Sequence, residues 1–179
     1  MKIRIISYSL TGNNEALASA ISDKLKVQHI TVEEKKKRTI ATTALDMLFN
    51  RKPKIEPENV SADNNDLLIF MAPIWMGKVA SPLRGIFKNL KRKSGHYAFV
   101  TISGGADGPN TGIEKDLVWR LKRKPDLIID ELIVDLFPKD SKPTRDQIST
   151  YRLSADDIEK ITKRVTDRIG KLKLNRSDK

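Results

Sequence analysis

Cysteine is absent from the 179 residues, which excludes disulfides, thiolate metal sites, iron–sulfur clusters and a cysteine nucleophile. Histidine occurs only at His29 and His96, too few for a histidine-rich centre, and no metal ligand set is assigned. No apolar run approaches the ~18 residues that a membrane-spanning helix needs. The opening Met1-Lys2-Ile3-Arg4-Ile5-Ile6 is too short for a secretory signal. Neither G-x-x-x-x-G-K-[ST] nor G-x-G-x-x-G occurs, so the Walker loop and the dinucleotide fingerprint are missing. Hydrophobic residues still make up 39%, too many for a disordered chain. A chain of this length buries on the order of 70% of its unfolded surface. The expectation is one cytoplasmic globular domain spanning residues 1–179.

Short apolar, β-branched stretches alternate with segments of helical period. Ile3 to Tyr8, Val27 to Val32, Asp66 to Met71, Tyr97 to Ile102 and part of Leu127 to Phe137 read as strands. Between them Leu17, Ala20, Ile21 and Leu25 mark one helical face, and Ile40, Ala44, Leu45, Leu48 and Phe49 mark another. Ser81-Pro82 reads as N-cap and first helical residue of a helix burying Leu83, Ile86, Phe87 and Leu90. Thr111 is expected to cap a helix with the stripe Ile113, Leu117, Val118 and Leu121. Ser154-Ala155-Asp156-Asp157 resembles a capping box ahead of Ile158, Ile161, Val165 and Ile169. Five strands alternating with helices predict an α/β fold, an open parallel sheet between two helical layers. Such sheets bind ligands beyond the carboxyl ends of their strands.

Three loops leave those ends. The first, Ser9-Leu10-Thr11-Gly12-Asn13-Asn14, carries hydroxyls and runs into a helix N-terminus. Free N–H groups and the helix dipole there suit a phosphate; a plain turn capped by Thr11 or Asn13 is the competing reading. The second, Pro73-Ile74-Trp75-Met76-Gly77-Lys78, places Trp and Met after a core strand. They suit an apolar wall for a flat ligand, unless Trp75 folds back onto the core. The third begins Ser103-Gly104-Gly105 and contains Asp107 and Gly108. Its accessible main chain can hydrogen-bond a heterocycle edge, or it is a flexible connection.

Together these loops resemble those of the flavodoxin family. Ser9-x-Thr11-Gly12-Asn13-Asn14 is similar to its [ST]-x-T-G-x-[ST] phosphate loop. Pro73 to Gly77 is similar to the loop that stacks on the flavin, and Ser103-Gly104-Gly105 to the loop over its other side. The resemblance spans nearly the whole chain. It implies a three-layer, flavodoxin-like doubly wound fold with strand order 2-1-3-4-5 and one non-covalent FMN. The phosphate would sit on Ser9, Thr11, Asn14 and the amides of residues 10–14, with Trp75 or Met76 against the ring. Gly77 matches the position beside which a peptide reorients on reduction. Asn14 departs from the family's Ser or Thr, and the third loop lacks an aromatic residue, leaving one flavin face open. Lys78 either points at the flavin or into solvent. No catalytic acid–base pair is assigned.

Charge departs from the pattern too. Electron-carrying flavodoxins are typically acidic, whereas 34 Lys+Arg against 23 Asp+Glu give +11 here. The excess gathers in Lys35 to Arg38, Lys88 to Lys93, Arg120 to Lys124 and Lys171 onward. Three of these runs close predicted helices, so a basic pole is expected opposite the flavin site. Solubility is one role for it; an acidic redox partner or a peripheral anionic surface is another. Aromatics are only 6% and do not interleave the lysine runs, which disfavours nucleic acid. Residues 138–153 read as a long polar, exposed loop, with Tyr151 its one aromatic residue. Three functions stand open: an FMN-dependent electron carrier between protein partners, a small FMN-dependent oxidoreductase for a quinone-like substrate, and an FMN-free binding module using the basic surface.

Overall fold

Five parallel strands form one sheet in a computed structural model that describes residues 2–36, 39–61, 66–91 and 95–177. They are β1 (Ile3–Ser7), β2 (Gln28–Thr31), β3 (Leu67–Met71), β4 (His96–Ser103) and β5 (Leu127–Leu132). Their order is β2-β1-β3-β4-β5, the expected 2-1-3-4-5. β1 and β3 are buried throughout; β3 reads as a continuous apolar run, while β1 is interrupted by Arg4, which is buried against Asp66. β2 lies at an edge and is half-exposed.

Side-chain alternation divides the core. Ile3, Ile5, Ile69, Ala98 and Val100 face α1 (Asn13–Leu25) and α6 (Ala155–Ser177), where Leu17, Ala18, Ile21, Ile161, Val165 and Ile169 meet them. Ile6, Leu68, Phe70 and Phe99 face the opposite layer. That layer holds α2 (Ile40–Leu48), α3 (Leu83–Leu90) and α4 (Ile113–Leu121). Phe70 is its centre, edge-on to Phe87 at 4.9 Å and to Tyr97 at 6.1 Å between ring centroids.

Several local expectations change. Pro82 takes helical angles, as expected of a first helical residue, but the Ser81 side chain makes no cap bond and its hydroxyl donates to Asp46 Oδ2 at 3.4 Å. Thr111 does not cap α4 either; Gly112 precedes that helix without a side-chain cap. At Ser154 the box forms, with Ser154 Oγ accepting from Asp157 N–H at 3.1 Å and Asp157 Oδ2 accepting from Ser154 N–H at 2.9 Å. The α2 stripe is inverted. Met47 is buried, while Leu45, Leu48 and Phe49 are exposed. Arg84, buried in α3, meets the inward side: its Nη2 lies 2.9 Å from Met47 Sδ, and its Nη1 donates to Asp46 O at 2.7 Å and Arg51 O at 3.2 Å, satisfying carbonyls at and beyond the helix end.

Residues 138–153 are not a bare loop. They contain α5 (Arg145–Thr150), capped by Thr144 and Gln147 and anchored by buried Ile148. Parts of the basic runs, residues 37–38, 92–93 and the side chains beyond Leu172, lie outside the described residues, as do residues 62–65 of the connection before β3 and the side chains of Ile40 and Ala44. Among the described residues no helix is long and apolar enough to cross a membrane.

Candidate functional site

β1 leads through Tyr8 into the first loop. Gly12 there adopts φ 91°, a left-handed angle that glycine takes without strain, and precedes α1 with no side-chain cap. The first helical bond runs from Ala16 N–H to Gly12 O at 2.9 Å. The N–H groups before it therefore have no intrahelical acceptor and carry the positive end of the dipole. Ser9 Oγ accepts from Gly12 N–H at 3.0 Å, which shapes the loop and leaves the hydroxyl proton free to donate.

The two asparagines hold this turn rather than reach out of it. Asn14 Nδ2 donates to Ile102 O, and Ile102 N–H donates to Asn14 Oδ1, both at 3.0 Å and buried. Asn13 Nδ2 donates to Tyr151 O at 2.9 Å, and Leu153 N–H donates to Asn13 Oδ1 at 3.2 Å. The expected side-chain contact from Asn14 to a phosphate is therefore corrected. A carboxamide carries both the donor and the acceptor needed to bond the N–H and the C=O of one residue, and that use commits it. Asn13 is likewise a brace, not a cap.

The second loop is a two-residue hairpin, Ile74–Trp75 pairing with Lys78–Val79. Met76 and Gly77 form its turn with φ 51° and 71°, the paired positive angles of a type I′ turn. Trp75 is half-buried and edge-on to Tyr8, 5.9 Å between centroids. It packs on the core and also lines the cleft described below. Met76, at the tip, is 83% exposed. Lys78 is exposed and lines a groove on the outer side of the hairpin, not the cleft.

In the third loop Ser103 Oγ donates to Asp130 Oδ1 at 2.8 Å, and Asn110 Nδ2 donates to Asp130 Oδ2 at 2.8 Å. Gly105 has φ 77°, and a Cβ there would stand 2.8 Å from Val134 Cγ1. This loop is therefore held, not flexible. Asp107 pairs with Arg145 of α5 at the surface.

A cleft of about 390 Å3 joins the three loops. Leu10, Thr11, Asn13 and Asn14 line it from the first, Pro73, Ile74 and Trp75 from the second, and Ser103 and Gly104 from the third. Gly105 lies in an adjoining pocket of about 400 Å3 with Met76, Gly77 and Asp107. Ser9 opens onto a separate hollow beside Glu34. Arg145, Ile148 and Ser149 close the cleft from α5, and sequence reasoning missed them. The signal was present: Thr144-Arg145-Asp146-Gln147 fits the S/T-x-x-E/Q capping box, and both of its bonds form. Arg145 is the cationic residue of this lining. Beneath α1, His29 Nε2 lies 2.7 Å from Ser7 Oγ. Burial pushes the His29 imidazole below its ordinary pKa, against the opposing charges of Glu15 and Asp23. No group of acidic or histidine residues among those described could hold a metal ion.

No protein-family model matches the chain, and no curated protein matches it in sequence. Solved structures do match in fold. A flavoprotein in complex with FMN from Lactobacillus acidophilus NCFM superposes with a TM-score of 0.62 at 22% identity, over 73% of this chain and 93% of that one. The apo-form of the flavoprotein from the same organism gives 0.57 at 22% identity, over 75% and 95%. A candidate flavoprotein from Bacteroides uniformis ATCC 8492 gives 0.59 at 14% identity, over 82% and 94%. Strand order, two-sided helical cover and these superpositions together identify the fold as the flavodoxin-like, doubly wound α/β fold.

Proposed function

We propose that the chain binds FMN in the three-loop cleft and carries electrons between protein partners. The observation that supports this most is the convergence of the three loops on one cavity at the carboxyl ends of β1, β3 and β4. That is where a doubly wound sheet binds ligands, and the volume lies within the range of ligand sites. The donor set fits a phosphate monoester joined to a flat ring. Free amides at the start of α1, with the Thr11 hydroxyl, would hold the phosphate; Ser9, which opens onto a separate hollow, shapes the loop through Gly12 N–H. Arg145, the cation of the cleft lining, is paired with Asp107 and would add positive charge by exchanging that partner for the phosphate. Pro73, Ile74 and Trp75 offer the apolar wall, and Gly104 offers main-chain partners for a ring edge. FMN, when bound, supplies redox chemistry that no side chain here can perform.

The test is flavin fluorescence during titration with the purified protein. Stoichiometric quenching with a shifted visible absorbance supports the reading. Fluorescence indistinguishable from free FMN at micromolar protein rules it out. A second reading, a small oxidoreductase acting on a quinone-like substrate, is favoured by the adjoining pocket. Its third-loop wall, Ser103 to Asn110, carries no aromatic side chain. Steady NAD(P)H consumption with a quinone and no other protein present would select it over the carrier.

A further inference from the structure

We infer that the groove along α4, beside the Met76-Gly77 turn, is the docking surface for an acidic redox protein. The partner's redox character rests on the FMN reading; the docking itself does not.

The groove encloses about 1290 Å3 and is lined by Met76, Lys78, Lys115, Trp119 and Lys122 among others. Its charge is unbalanced. The two carboxylates of its wall are engaged: Asp116 with Arg120 at 2.9 Å and with Val79 N–H at 3.1 Å, Glu114 with Lys124 at 3.3 Å. Lys78, Lys115 and Lys122 make no ion pair among the described residues. Cations also crowd Trp119, with Arg120 at 5.2 Å and Lys122 at 5.7 Å from the ring centroid. Nearby, partial burial and the charges of Lys88 and Arg120 push the Lys52 ammonium below its ordinary pKa. Carboxylates from outside would neutralise this excess.

The same surface exposes apolar groups. Trp119 is 55% exposed and Met76 83%. Leu48 and Phe49, which precede the groove residue Asn50, are 77% and 61% exposed. Trp, Phe, Met and Arg are the residue types enriched in the cores of protein interfaces. A nucleic-acid backbone offers those side chains no apolar counterpart, and one indole is not a stacking track. A bilayer is flat where this surface is concave. The groove also shares Met76, Gly77, Thr111 and Gly112 with the pocket of the third loop. A protein seated in it therefore lies beside the candidate flavin cleft.

The experiment titrates the protein with an acidic plant-type [2Fe–2S] ferredoxin as probe, with and without added FMN, by calorimetry. Binding is expected at ~10 mM salt and should weaken about tenfold or more by ~300 mM. Lys115→Glu/Lys122→Glu should weaken it about tenfold, and Trp119→Ala at least about fivefold. Lys163→Glu/Lys171→Glu, the same charge change on α6, should leave it unaltered. Absence of binding overturns the proposal. So does equal weakening by both double variants, which would mean diffuse attraction. Tighter binding to phosphatidylserine vesicles or duplex DNA, lost with the groove substitutions, also overturns it. Failure of the FMN reading shows separately, as absent flavin quenching while ferredoxin binding persists.

Discussion

The two helical layers cover the same sheet in opposite ways. On the α1/α6 side, Leu17, Ile21, Ile161, Val165 and Ile169 are all buried, and no large hydrophobic residue of either helix is exposed among the described side chains. On the other side α3 and α4 are as well buried against the sheet, but Leu45, Leu48, Phe49 and Trp119 are turned outward. A layer that only needs to close spends its apolar residues on the core. A layer that also presents a surface leaves some of them in water, a cost that a bound partner removes. The cleft lies where the two meet, with α1 and α5 on one side and the hairpin on the other.

The comparison breaks most readily at Ile161. Ile161→Ala on the closed side should cost about 2–5 kcal/mol, whereas Leu48→Ala should stay within about 0.5 kcal/mol; urea unfolding of both variants decides it. Equal losses would show that the outward stripe is structural. Next is Asn14→Ala. It strips the side-chain partners from the buried N–H and C=O of Ile102, and a loss of about 3 kcal/mol is expected by the same assay, with weaker FMN quenching because the first loop is no longer anchored. Third, Gly105→Ala should lose about 2–3 kcal/mol, from the left-handed angle and the approach to Val134. Gly108→Ala, at φ 85° with open space around it, should lose only about 1 kcal/mol.

The smallest effect is a pH dependence from His29. Its imidazole is held below its ordinary pKa by burial, so the unfolded chain takes up a proton first as pH falls. Stability should therefore decline from about pH 6.5 downward, through the lowered folded value. Thermal melts across that window should be flatter for His29→Gln than for the parent. An unchanged slope would assign the decline to other groups.

The sheet was legible because β3 is wholly apolar and β1 and β4 are mostly so, as strands covered on both faces are. The cleft's loops were legible because they had to follow those strands. Helix caps were less so. Ser81 and Thr111 are good capping residues by type, yet Asp46 takes the Ser81 hydroxyl and Gly112 stands where Thr111 was expected to act. Asn14 could not be read at all from its neighbours, since its partner Ile102 lies 88 residues away. The α2 stripe misled for a related reason: Met47, outside the stripe, faces Arg84, which lies 37 residues further along.

The asparagine pair also sets an order of assembly. Asn14 waits for Ile102, and Asn13 waits for Tyr151 and Leu153, which are 138 and 140 residues further along. On a ribosome, the first loop leaves the exit tunnel well before Ile102, Tyr151 and Leu153, which brace it. A nascent chain that ends before them should have no finished cradle.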